Sequence, residues 1–293
     1  MRIADIFKQT IIFAEIKTCI NKMDCYTEEI IEYDNPTFHS IEKTYLLTMH
    51  DSTRRQQYMT QLNKYKPTKK VIILHNKGYK ECSKPEWVKD SAMDLWHANL
   101  TALENHFKHE KSPVIILEDD VVFLDQFFEL ANVIEQFIKS GKVDMYSLGS
   151  IPYLSIPINI YHTRMFIGAT SHAWIYTSQG YDKMKNVKSK FGLHDLDVSH
   201  SLKSYIGTKP CAIQSFSNTN NSKKWNIGNI PIQYMNIFGG RLYQYHHSMG
   251  IFGGILPFYI IIIVLIIILF SKKNALEHQT KYFSNAAQTN SQN

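Results

Sequence analysis

Three adjacent carboxylates, Glu118, Asp119 and Asp120, break into an otherwise apolar run, PVIILEDDVVF. On an extended chain Glu118 and Asp120 share one face and Asp119 takes the other. Burying unpaired carboxylates is strongly unfavourable, so such a strand either runs out of the core at this point or meets a counter-ion. A divalent cation answers that need, because Mg²⁺ and Mn²⁺ favour oxygen ligands and Mg²⁺ is commonly held by one or two carboxylates with phosphate and water. The bland alternative is an acidic turn between two short strands.

A second group lies downstream in HDLDVSH, where Asp195 and Asp197 stand between His194 and His200. Short carboxylates here either cap a helix before VSHSL or do acid–base work. His172, in GATSHAW, faces the site or satisfies a hydrogen bond at a strand start. His246 and His247 lie just before a long apolar run and read as interfacial residues rather than metal ligands. Trp225 sits in a Ser-, Asn- and Lys-rich segment and either stacks on a sugar ring or pins a loop.

These groups need a scaffold. From Ile41 onward, short apolar runs alternate with amphipathic stretches, the pattern of βαβ units and a mainly parallel sheet. Strands are expected at Thr44–Thr48, Val71–His75, along VIILEDDVVF, at Met145–Gly149 and at His172–Thr177. Helices are expected after DSTRRQQYMTQL, where Thr53 and Gln56 have capping-box spacing, from Lys89 to His109, from Asp125 to Ser140, and from Ser178. Residues 1–40 read as a helical extension without chemistry, and residues 41–248 as the main domain. In such a sheet, ligands bind outside the carboxyl ends of the strands, where the acidic triplet falls.

The 293 residues allow one sizeable domain with appendages. The net charge of +6 is spread along the chain without a basic block, which gives no reason to expect a nucleic-acid partner. Cys19, Cys25, Cys82 and Cys211 lack CxxC spacing, read as packing residues, and leave the redox compartment undecided. The sequons at Asn99 and Asn220 do not settle it.

Residues Ile251 to Phe270 carry no charge over twenty positions, enough for a helix to cross a hydrocarbon core of about 30 Å, with a polar tail over residues 271–293. Tyr243, Tyr245 and Tyr259 suit the interface, and Lys272 and Lys273 after the span put the tail in the cytosol by the positive-inside rule. Against this, Asp5, Lys8, Glu15 and Lys17 interrupt every apolar run that could act as a signal peptide. Weighing the two, the sequence favours a tail-anchored chain with its domain in the cytosol.

In order, TYLLTMHDSTRRQQYMTQL, VIILHNKGY, VIILEDDVVF, MYSLGS and FIGATSHAWIYTSQGYDKM resemble glycosyltransferase family 25, the lipopolysaccharide- and procollagen-modifying enzymes. The resemblance spans roughly Ile41 to Leu202, and its most specific part is the acidic motif. It implies an α/β, glycosyltransferase A-type nucleotide-sugar-binding fold, a nucleotide-sugar donor, Mn²⁺ or Mg²⁺, and inverting hexose transfer to a hydroxyl on a glycan, lipid or protein. Carried over by position, Thr48, Met49 and Arg54 line the donor nucleotide pocket, continued by Lys77 and Gly78. Glu118 and Asp120 bind the metal, with Asp119 orienting ribose or a ligand. Asp195 or Asp197 is the base. The amino-terminal extension and the membrane anchor depart from the family and leave the acceptor open. Competing readings are a metal-dependent phosphoesterase or nuclease, and a non-catalytic membrane-anchored protein that keeps the fold.

Overall fold

The computed structural model describes residues 25–187, 193–215 and 240–290, with side chains except at 243, 254–259 and 275–290. The first strand, β1 (Tyr26–Glu32), is followed by β2 (Lys43–Met49), helix α1 (Arg55–Tyr65), β3 (Lys70–Asn76), α2 (Ser91–Phe107) and β4 (Val114–Glu118). Next come β5 (Val121–Phe123), α3 (Gln126–Lys139), β6 (Met145–Ser147), β7 (Ile151–Pro157), β8 (His162–Ala169) and β9 (Ala173–Tyr176). The remaining elements are α4 (Ser178–Met184), α5 (His194–Ser201), β10 (Ser204–Gly207), β11 (Ala212–Gln214) and α6 (Arg241–Asn290).

Nine strands form one sheet in the order β1-β3-β2-β4-β9-β6-β10-β8-β7, and β5 pairs with β11 in a separate ribbon. Strands β3, β2 and β4 are mutually parallel, as are β6 and β10. Most strands of this mixed α/β sheet thus point one way, as expected. The sequence did not disclose that β9 is inserted antiparallel between β4 and β6, nor the β7–β8 hairpin that closes the far edge.

The apolar strands make sense from their two buried faces. Leu46, Ile73, Ile115 and Leu117 point into one core with Tyr58 and Leu62 of α1 and Phe127 and Ile134 of α3. Their strand neighbours Leu47, Ile72, Leu74 and Ile116 point into the other, against Ala98, Ala102 and Leu103 of α2. Successive side chains alternate across a sheet, so covering both faces requires near-continuous apolar runs.

Three expectations are corrected here. Residues 26–32 are an edge strand paired antiparallel with β3, not helix. Thr27, Ile30 and Ile31 suit the free edge of β3; of the rest of the expected extension, residues 33–40 are not helical and residues 1–24 lie outside the described residues. The proposed capping box does not form, because α1 begins at an Arg54 N-cap without a side-chain cap bond. The loop FGLHDLDVSHSL contains a helix, α5, from His194.

Cys25 and Cys82 form a disulfide with Cα atoms 5.5 Å apart, tying the start of β1 to the loop after β3. This also departs from the packing role read from the sequence. Converting both to serine is expected to remove about 2–4 kcal/mol of stability, since the bridge closes a long loop. Thermal melts with and without a reductant check it: reductant should lower the midpoint of the wild-type chain and leave the double variant unchanged.

Helix α6 docks on the edge strand β7 through its first turns. Ser155 Oγ donates to Gly250 O at 3.4 Å. His247, expected at an interface, is instead fully buried, its ring nitrogens each 2.9 Å from Ser150 O and Gly207 O. The ring sits between these two carbonyls and donates its N–H to one of them, so this histidine pins the helix to the domain. Among the described residues no helical stretch is long and apolar enough to cross a membrane. The expected span includes residues 254–259, whose side chains lie outside the described set.

Candidate functional site

The site forms where β2, β3 and β4 end side by side. Met49 is level with Asn76, and Leu47 with Glu118. After Glu118 the chain leaves the main sheet, turns through Asp119 and Asp120, and re-enters as β5 in the small ribbon. The chain thus quits the main sheet where charge begins, yet Asp119 and Asp120 stay buried and Val121 and Phe123 return to the core.

Each carboxylate faces a different element. Asp119 accepts from Thr48 Oγ1 at 2.8 Å, Ser52 Oγ at 2.7 Å and Arg54 Nη1 at 2.5 Å, so three expected nucleotide-pocket residues, Thr48, Arg54 and Asp119, are joined directly. Glu118 accepts from Ser171 Oγ at 2.6 Å. Asp120 Oδ2 accepts from Gln214 Nε2 at 3.0 Å, and its backbone carbonyl accepts from Ser215 N at 2.8 Å. Asp120 Oδ1 is buried and, among the described residues, has no hydrogen-bond partner.

The electrostatics follow from this packing. Burial, reinforced by the Asp120 charge, pushes the Glu118 carboxyl up to about 8. Burial also pushes Asp120 up to about 6, with the Gln214 hydrogen bond working the other way. The ion pair on this group, among the described residues, is Arg54 with Asp119. Asp119 is thus provided for by the protein, whereas among the described residues Glu118 and Asp120 are buried acids without a matching cation.

Asp195 joins them from α5. It is buried and bonds to Thr170, the neighbour of the Ser171 that donates to Glu118, and its charge contributes to raising Glu118. It takes a first-turn amide of α5, in line with the capping reading, and also reaches across the fold. Asp195 Oδ2 accepts from Thr170 N at 2.7 Å across the fold, and Oδ1 from Leu196 N at 3.0 Å. Burial raises its proton affinity. Asp197 is buried in the first turn of the same helix and adds its charge to Asp195.

The turn held by Asp195 is strained. Thr170 adopts φ 73°, a left-handed conformation that costs a β-branched residue on the order of 1–3 kcal/mol and persists only when its surroundings over-determine it. Here Asp195 takes the Thr170 N–H while Ser150 Oγ donates to Thr170 O at 2.7 Å. The strained turn delivers Ser171 to Glu118. His172 is fully buried beside it, its carbonyl accepting from Glu118 N at 2.9 Å, and burial lowers its ring to about 3.

At the β3 end, Gly78 has φ 84° and its N–H donates to Asn76 Oδ1 at 2.9 Å. A Cβ there would lie 3.0 Å from Met49 Cε, so Met49 and Gly78 are neighbours, as the pocket reading required. Lys77 is attached through its backbone, donating to Cys25 O at 3.1 Å. Sequence reasoning missed Ser52, Thr170, Ser171 and Gln214. Ser52 and Ser171 lie within the quoted motifs, whereas Gln214 carried no local signal and Trp225 lies outside the described residues.

Gly149 follows β6 on this side of the fold, and an added Cβ would sit 1.8 Å from Ala212 O. Gly149→Ala must push β11 aside and loosen Gln214 from Asp120. A loss of about 2 kcal/mol is expected, read as a fall in the unfolding midpoint.

Among the described residues, no group of three or more His, Cys, Asp or Glu side chains forms a ready-made metal cage. A cavity of about 360 Å³ lies elsewhere, lined by Pro113, Glu135 and Thr177 among others, where β4 begins and β9 ends. It is separate from the carboxylates.

No family model matches the chain, and no curated protein does. Among solved structures, it is similar to apo UDP-glucose pyrophosphorylase, with 12% identity, 57% of this chain and 72% of that one covered, and a TM-score of 0.32. It is also similar to a protein from Bacillus anthracis assigned as a glucose-1-phosphate thymidylyltransferase, in complex with a sucrose. There the identity is 12%, the coverage 53% and 61%, and the TM-score 0.27. Likeness at these scores does not extend to site residues or activity.

Proposed function

We propose that the chain is a glycosyltransferase of the family 25 kind, moving a hexose from a nucleotide sugar to a hydroxyl acceptor with inversion. The observation that carries this reading is the pair of buried acids Glu118 and Asp120 at the carboxyl end of β4, with Asp120 Oδ1 unpartnered among the described residues and Asp195 bonded to Thr170, next to the Ser171 that donates to Glu118. Such a group has surplus negative charge that a divalent cation relieves, and two carboxylates suffice when substrate phosphate completes the shell. Glu118 and Asp120 would hold Mn²⁺ or Mg²⁺.

When bound, that cation supplies Lewis acidity toward the departing diphosphate. The chain's own residues do the rest. Asp119, saturated by Thr48, Ser52 and Arg54, fixes the guanidinium at the end of β2, where it meets donor phosphate or ribose oxygens. Met49, Lys77 and Gly78 continue that wall. Asp195 takes the acceptor hydroxyl proton as the oxygen attacks the anomeric carbon and the nucleoside diphosphate leaves. Asp197 is the alternative base on the same turn of helix.

The chain is also membrane-anchored in this reading. The uncharged run from Ile251 to Phe270 supports it, as does the outward exposure of Ile260, Ile263, Leu269 and Phe270 on α6. The Cys25–Cys82 bridge favours an oxidising compartment for the domain, which agrees with a cytosolic tail after Lys272 and Lys273 under the positive-inside rule. This reading differs from the cytosolic placement favoured by the charges that interrupt the amino-terminal apolar runs.

The test is turnover by the full chain in detergent, over a panel of nucleotide sugars, with Mn²⁺ or with chelator. Donor consumption that needs Mn²⁺ supports the proposal; equal consumption in chelator contradicts it.

A further inference from the structure

We propose that the β7–β8 hairpin is a second bilayer contact, resting the domain on the lipid surface beside α6. This rests on the membrane-anchor reading above. Residues 151–161, IPYLSIPINIY, contain no charge, and Tyr153, Leu154, Ile156, Ile158, Ile160 and Tyr161 are all exposed, Ile160 by 78%. Exposed large apolar residues elsewhere in the described domain are scattered singly, as at Ile30, Met93 and Phe128. Concentration of this kind on one short segment marks a contact surface.

The backbone is shaped for that exposure. Register shifts between Pro152 and Leu154 and between Leu154 and Ser155 interrupt the ladder with β8. In a regular strand Tyr153 and Leu154 would face opposite ways; at this irregularity both are exposed. Pro152 and Ser155, the buried residues on either side, meet Gly250 of α6, where a Cβ would lie 1.9 Å from Pro152 O.

Continuity with α6 identifies the occupant. The helix covers β7 with its first turns and exposes apolar side chains at Phe252 and again from Ile260 to Phe270. Hairpin and helix therefore form adjoining apolar surfaces on one side of the molecule. Tyr153, Tyr161 and Tyr245 have the ring-plus-hydroxyl character that suits the headgroup boundary. A charge-free surface with tyrosines at its margins matches lipid better than a charged ligand.

The experiment uses the full chain carrying Cys19→Ser, reconstituted in phosphatidylcholine nanodiscs. A nitrobenzoxadiazole dye is placed singly at Ile160→Cys, at Val264→Cys in α6, or at the exposed control Lys111→Cys. Quenching by nitroxide-labelled lipid is compared with quenching by aqueous iodide. The expected result is that the dyes at 160 and 264 lose most of their emission to the lipid quencher, while the dye at 111 responds only to iodide. A dye at 264 quenched by lipid with one at 160 quenched only by iodide overturns the hairpin contact and leaves the anchor standing. Lack of lipid quenching at 264 overturns both. A dye at 160 shielded from both quenchers, with cross-linking between chains, assigns the hairpin to a second copy and overturns the lipid contact.

Discussion

Asp120→Asn is expected to leave a folded chain whose turnover of any nucleotide-sugar donor falls by about three orders of magnitude, the scale on which loss of preorganised charge stabilisation acts. The substitution keeps the shape and the Oδ-type acceptor for Gln214 Nε2 while removing the negative charge that faces Glu118. It also relieves a buried like-charge pair, so stability should hold or rise while activity collapses. That opposition separates a functional carboxylate from a structural one. A structural acid would lose stability when neutralised, and a variant that melts lower and turns over normally would contradict the assignment. Steady-state kinetics and a thermal melt on the same preparation give both readings.

The second large effect concerns pH. Burial raises Glu118 from 4.5 to about 8 and Asp120 from 3.8 to about 6. Between each pair of values the folded, cation-free chain keeps a proton that the unfolded chain has released. Folding is then favoured at the acid end, and stability falls as pH rises from 4.5 toward 8. Glu118→Gln removes the titration and should stabilise the cation-free chain at the alkaline end by about 2 kcal/mol, flattening the slope. Added Mn²⁺ should stabilise the wild-type chain most at that same end, because the ligands must be deprotonated to bind. Melting midpoints across the range, with and without Mn²⁺, check it. A wild-type chain that gains stability with rising pH in chelator would overturn the electrostatic account.

Much of the scaffold could be read from residue pattern because both faces of the central strands are covered. Runs such as YLLTM, VIILH and VIIL admit little besides buried strand, and the carboxylates after VIIL marked where the strand leaves the main sheet. Strand Tyr26–Glu32 was illegible for the converse reason. Its three glutamates masked the strand preference of Tyr26, Thr27, Ile30 and Ile31, and pairing with the edge of β3 decides the outcome. Strands β10 and β11 are short and owe their place to partners far along the chain, as Gln214 owes its place beside Asp120 to the pairing of β11 with β5. The disulfide was hidden likewise, since 57 positions separate Cys25 from Cys82 and no spacing rule joins them.

The site shows the same division. Thr48, Arg54 and Asp119 were each assigned to the donor pocket without any indication that they bond to one another. Their union depends on the parallel register of β2 with β4, which brings the residues after Leu47 beside those after Glu118. Asp195 and Asp197, two positions apart between His194 and His200, were equivalent in sequence. Packing distinguishes them, because Asp195 alone is drawn on to hold the strained Thr170 and contributes directly to the charge at Glu118.

The central claim is that Glu118 and Asp120 hold a divalent cation against the diphosphate of a nucleotide. It is tested most directly by titrating the full chain into Mn²⁺ and following the free ion by electron paramagnetic resonance, with and without UDP. Loss of the free-ion signal with the wild-type chain, deepened by UDP and abolished by Glu118→Gln with Asp120→Asn, is the predicted result. Equal binding by the wild-type chain and the double variant would contradict it.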